Sequence, residues 1–291
     1  MKIVIDANKS SASADEDKAY SEDKSSFLLN AMISLGYPAS QPPIADFLRQ
    51  LHQLAGVWVL CEPVYWEVSH DDAFLRAHGT LLGLSDKASR DLFDKTAEYL
   101  APDGLKLHYH NAHTWLMKVD GKPKIQSVPT HLMLNQSMKT VLKELDLSLY
   151  WQKLMTELQM LLYSCPHTSA LPVNGFWFYG YEPFQFDAQT RIFTNNKAWV
   201  QAFPGYLSLF YDEKDLDNQS ILWLSQFDEE RFHALVESTS TMDTLWLWND
   251  IQYQKAPSTW WMRLVNIFKN NYKAYDIPKN TNENPGKRNC K

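Results

Sequence analysis

Residues 157–180 read ELQMLLYSCPHTSALPVNGFWFYG. Leu158, Leu161 and Leu162 keep helical spacing, and Pro166 opens a loop that ends the helix. Pro172-Val173-Asn174 reads as a turn, in which the Asn174 side chain bonds nearby backbone. Phe176 to Tyr179 is an unbroken aromatic run of strand length. Such a run suits a central strand covered on both faces. A helix feeding a buried strand is the repeating unit of an α/β fold.

The same alternation extends in both directions. Asp146 to Ser164 is the clearest helix, with Leu147, Trp151, Leu154 and Leu158 on its period. Upstream, Ile3 to Ile5 reads as a short buried strand ending at Asp6. Helices are expected over Phe27 to Leu35, over Ile44 to Leu54 after Pro42-Pro43, and from the Ser85 cap to Leu100. Gly56 to Val68 reads as strand, broken at Glu62-Pro63 because proline removes a ladder donor. Leu105 to His110 and Trp115 to Val119 read as strands around an Asn111-Ala112 turn. Downstream, Tyr206 to Tyr211, Ile221 to Leu224 and Thr244 to Trp248 are expected strands, and Ala198 to Phe203 and Asp228 to Glu237 expected helices. The expected fold is therefore α/β, a mixed or parallel sheet flanked by helices. One domain should cover residues 1–278, with a smaller subdomain around 56–145. Residues 8–26 are too polar to pack and read as a flexible excursion, and 279–291 as a disordered tail.

Composition narrows the function classes. The 291 residues include 45% hydrophobic side chains, with 11 Trp, 14 Tyr and 14 Phe, so aromatic packing should dominate the core. A net charge of -6 argues against a nucleic-acid binder. Three cysteines (Cys61, Cys165 and Cys290) lack any CxxC spacing, which favours a reducing cytoplasm over a disulfide framework. The longest apolar run, Leu54 to Cys61, falls short of the ~20 residues a membrane span needs. A cytoplasmic protein that does not meet the membrane is expected.

Few residues offer chemistry. His108, His110 and His113 form HxHxxH, and on a strand His108 and His110 share a face. Three imidazoles of this kind are weak candidates for a metal centre, because no carboxylate or Cys at ligand spacing completes them. Cys165 and His167 sit either side of a proline with no group to orient the imidazole. Asp6 ends a strand, where α/β enzymes place functional carboxylates, and is a further weak metal candidate. The Trp260-Trp261-Met262 stretch reads as a helix packed on the core. No GxGxxG, P-loop, HExxH or GxSxG pattern occurs.

Four segments in order resemble one family: Trp58 to Tyr65, the Ser85 helix ending in Pro102-Asp103-Gly104, Trp115 and its strand, and Glu157 to Leu162 leading to Pro172 to Gly180. The chain is similar here to the bacterial RpfE-like regulatory proteins, themselves similar to part of the archaeal-type cofactor-independent phosphoglycerate mutase. The resemblance covers roughly residues 50 to 185 and implies a degenerate scaffold of the alkaline phosphatase superfamily. An active enzyme of that kind needs two divalent metals, manganese or magnesium, and a phosphoryl-carrying Ser. Asp6 matches the first metal Asp, but Ala7 replaces the usual Gly. No residue pattern singles out a nucleophile among Ser10, Ser11 and Ser13, and no Gly-Asp-His motif lies near the C-terminus. The Arg of the loop before the aromatic strand is missing, and Thr114 stands at the family's basic position. The resemblance thus implies a cytoplasmic, non-catalytic protein with a regulatory or binding role and no cofactor. The alternatives are a metal-dependent mutase or phosphatase, and a small-molecule binding module with an aromatic pocket. The expected ligand cleft borders the aromatic strand at His167, Asn174, Trp177 and Tyr179, and its partner would be a phosphorylated small molecule or a regulatory protein.

Overall fold

The computed structural model describes residues 1–9, 26–164 and 172–255. Most of the expected 8–26 excursion, Ser10, Ser11, Ser13, Cys165, His167, the Trp260-Trp261-Met262 stretch and the 279–291 tail lie outside the described residues.

A parallel sheet grows around the first strand. β1 (Lys2–Ile5) pairs in parallel with Ile221–Leu224 on one edge and with Thr244–Leu247 on the other. Numbered along the chain, the strands are β2 (Trp58–Val68), β3 (Ala73–His78), β4 (Lys106–Asn111), β5 (Thr114–Lys118) and β6 (Gly175–Tyr179), followed by β7 (Ile192–Thr194), β8 (Leu207–Leu209), β9 (Ile221–Leu224), β10 (Thr244–Leu247) and β11 (Gln252–Lys255). The first sheet runs β11-β10-β1-β9-β7-β8, with β11 alone antiparallel.

Its strands are apolar without alternation because both faces are covered. Val4, Trp223 and Leu247 point into the larger core, while Ile3, Ile5, Leu222, Trp246 and Trp248 point into a second cluster on the opposite face. Helices α1 (Phe27–Ser34) and α2 (Ile44–Leu51) pack on the first face, with Phe27, Phe47 and Leu48 buried. Ser26 caps α1, its side chain accepting from Leu29 N at 3.2 Å.

A second, antiparallel sheet is inserted between α2 and β7. β3 and β5 lie one after the other along one edge of β2, β6 lies along the other edge, and β4 pairs with β5. Helices α3 (Asp86–Leu100), α4 (Met138–Glu144) and α5 (Tyr150–Tyr163) accompany it, and α6 (Lys197–Ala202) and α7 (Glu229–Ser238) complete the parallel half. The larger core runs through both halves, from Val4 and Trp223 to Trp115 and Phe178. The expected α/β fold with mixed sheets flanked by helices is present.

Two local expectations are corrected. Glu62-Pro63 does not break β2, which continues through both residues. Val64 accepts from Asn174 N at 3.2 Å on the β6 side. Groups alternate along a strand, so the Pro63 nitrogen faces the other edge. There the pairing with β5 reaches only to Cys61 and the pairing with β3 starts at Val64, so no donor is missed. The second correction is the start of α5, at Tyr150 rather than Asp146. Asp146 instead accepts from the backbone of Ser148 (2.8 Å), Tyr150 (3.2 Å) and Trp151 (3.0 Å). Leu149 then takes a left-handed φ of 59°, and Leu147 is fully exposed instead of facing the core.

Candidate functional site

Every residue of β6 is buried as expected, but among the described strands it pairs with β2 alone, so it is an edge strand rather than the expected central one, and its two faces do different work. Phe176 and Phe178 face Trp115 and Trp151, with ring centroids 5.3 and 5.4 Å apart. Trp177 and Tyr179 share the opposite face with Glu62 of β2, which pairs with Trp177. The outer edge of β6 is covered by residues 124–129. Ser127 Oγ donates to the Phe178 carbonyl at 2.6 Å, and Trp177 Nε1 donates to the Val128 carbonyl at 2.8 Å.

A cavity of about 320 Å³ opens where β6 ends. Its wall comes from residues 40–42 ahead of α2, from the 124–129 segment, and from Tyr179 to Glu182. Gly180 lets the chain turn there with a φ of 84°, and a Cβ at this position would sit 3.4 Å from Ala45 N in the first turn of α2. The lining is polar: Ser40, Gln41, Gln126 and Ser127 supply hydroxyls and amides. Lys124 supplies a cation, paired with Glu182 at 2.8 Å and lying 5.3 Å from the Tyr181 ring.

Behind this wall lies a buried polar group of three. Tyr179 OH donates to Glu62 Oε1 at 2.8 Å, and Thr130 Oγ1 donates to Glu62 Oε2 at 2.5 Å. Burial pushes the Glu62 carboxyl above its ordinary range, while the two hydroxyls pull it down. Burial also raises the Tyr179 hydroxyl well above its usual value, helped by the charge of Glu62. Burial raises the neighbouring Cys61 thiol likewise, so it behaves as a core hydrophobe.

Of the expected cleft residues, Tyr179 lines the cavity, and His167 lies outside the described residues. Asn174 and Trp177 are engaged elsewhere. Asn174 accepts from Trp66 N at 2.7 Å and donates to Trp66 O at 2.8 Å, holding the turn to β2. Trp177 is a fully buried core residue. Glu62, Thr130, Lys124 and Gln126 were not singled out by the sequence. The one signal for Glu62 is a lone charge inside the apolar run from Trp58 to Trp66.

The metal candidates separate into two places. His108 and His110 do share a face of β4, and they meet His52 at the C-terminal end of α2. His113 makes no ring contact with that trio among the described residues. Asp6 stands at the carboxyl end of β1, where its Oδ1 accepts from Asn249 Nδ2 at 2.9 Å. Close by, Asp250 accepts from Lys9 N at 2.7 Å. Two carboxylates, each holding a protein donor, do not make up the donor set of a two-metal centre. Among the described residues no group of three His, Cys, Asp or Glu side chains is placed to hold a metal ion. Nor is any described helix long and apolar enough to cross a membrane.

Fold and cavity together define an α/β protein with a polar cleft at the end of a buried strand. No family model matches the chain, and no curated protein or solved structure matches it.

Proposed function

We propose that this is a non-catalytic protein with a binding or regulatory role, built on a phosphoglycerate-mutase-like scaffold and taking its ligand in the cavity at the end of β6. The observation that carries the reading is the cavity wall. Convergent amides and hydroxyls beside the rings of Tyr179 and Tyr181 suit a small polar molecule. Lys124 is the cation of that wall, and an anionic group such as a phosphate would compete with Glu182 for it. The hydroxyl of Tyr179 is committed to Glu62, so the pair serves to fix the wall rather than to move a proton to a ligand. The net charge of -6 speaks against nucleic acid as the partner.

A second reading, a metal-dependent phosphoglycerate mutase or phosphatase, is favoured by one observation. Asp6, Asn249 and Asp250 converge at the carboxyl ends of parallel strands, where α/β sheets bind ligands. A turnover assay separates the two. Incubation with 3-phosphoglycerate, with and without manganese, should give no mutase or phosphatase product. Metal-stimulated turnover that disappears in Asp6→Ala would establish the second reading and remove the first.

A further inference from the structure

The imidazole trio is used by neither reading. His52 Nε2 and His110 Nδ1 lie 2.9 Å apart, a single nitrogen-to-nitrogen hydrogen bond. The His52 ring packs on His108 at 4.4 Å and on His110 at 5.2 Å, and Trp58 closes over His108 at 6.5 Å. His108 Nε2 is buried without a partner among the described residues. His52 follows the last turn of α2, and β4 is the end strand of its sheet. These rings are therefore a contact by which the end of α2 is held to β4.

The bond between His52 and His110 needs one neutral nitrogen to accept. With both rings protonated, two N–H groups would face each other across 2.9 Å. Among the described residues no carboxylate offsets that charge. On α2, Asp46 is bonded to Arg49 at 2.5 Å. On β4 and β5, Lys106 lies opposite Lys118, and Asp120 pairs with Lys118 at 3.0 Å. On β2, Glu62 is held by Thr130 and Tyr179, and Glu67 by Arg76. Asp86 and Arg90 of α3 meet Tyr109, on the opposite face of β4.

We propose that His52, His108 and His110 form an acid-released clasp that fastens the C-terminal end of α2 to β4. Burial, then the neighbouring rings, lower His110 from its ordinary 6.5 to about 4. Burial lowers His52 and His108 as well, and His108 adds to the effect on His52. A lowered imidazole stabilises the closed form fully above its free value of 6.5. That stabilisation is lost as pH falls from 6.5 towards 4. The clasp is thus shut at neutral pH and opens in mild acid.

Amide hydrogen exchange tests this on the full chain. The reporters are His52, Gln53 and Leu54, whose N–H groups bond to Leu48, Gln50 and Arg49 at 2.9, 3.0 and 2.8 Å. After correction for intrinsic exchange, their protection should fall about tenfold or more relative to β1 between about pH 7 and about pH 5, since each unit of pKa separation is a tenfold change. His110→Leu, which removes the most strongly lowered of the three imidazoles, should markedly diminish that response. His52→Gln, at a partly exposed helix end, should reduce it and serves if His110→Leu does not fold. Protection that follows β1 at both pH values, or an undiminished acid response in these variants, overturns the proposal.

Discussion

Single residues set the geometry around β6. Gly175 lies against the Trp66 indole, and a Cβ there would come within 2.5 Å of Trp66 Nε1. Gly175→Ala should therefore destabilise by about 1–3 kcal/mol through overpacking, read by denaturant unfolding. Trp177 is fully buried, so Trp177→Ala should cost about 3–5 kcal/mol in the same measurement. Tyr179→Phe removes one of the two hydroxyl donors of Glu62 and should cost about 1–3 kcal/mol. Local sequence marked Asn174 as a turn residue, but its side chain bonds the backbone of Trp66, 108 residues away, rather than nearby backbone. Local sequence did not make Glu62 legible as one of a group, since Thr130 and Tyr179 are 68 and 117 residues away. His52 was hidden for the same reason, at 58 residues from His110.

Among elements, those with a period or a cap were readable. α3 begins at the expected Ser85, whose Oγ accepts from Ala88 N at 3.2 Å, and α2 buries Ile44, Phe47 and Leu48 as its spacing required. β11 was not readable, because Gln252 to Lys255 is a polar antiparallel edge strand whose pairing comes from β10. β7 has three residues, too few for a pattern. The late start of α5 depends on Asp146, whose carboxylate accepts from Ser148 N ahead of the helix and from Tyr150 N and Trp151 N in its first turn. Asp146 is raised by burial, but the bonds from Ser148, Trp151 and Tyr150 outweigh this and lower it. Asp146→Ala should therefore cost about 0.5–2 kcal/mol at neutral pH, the range of a lost cap. A lowered carboxylate stabilises above its free value of 3.8, so this difference should shrink as pH falls below 3.8. Thermal unfolding of both proteins across that range measures it.

At the scale of the molecule, the two sheets share one core. Phe47 of α2 touches Trp199, Phe203, Phe184 and Trp223, with centroids 5.3, 5.1, 5.1 and 6.2 Å away. The same buried cluster holds Leu60, Trp115 and Phe178 of the antiparallel sheet, which argues that the insertion unfolds together with the parallel half, so that fluorescence and circular dichroism report coincident transitions. Alternation of strands and helices made the α/β class readable, but nothing local marks where one sheet is inserted into another. The cavity arises at that junction, from segments before α2, after β5 and at the end of β6. Chemical-shift mapping of the labelled protein against phosphosugars and nucleotides tests the proposed function most directly. Saturable shifts should centre on Lys124, Gln126, Tyr179 and Gly180, and weaken in Lys124→Ala. Shifts confined to Asp6, Asn249 and Asp250 would contradict it and move the site to the end of the parallel sheet.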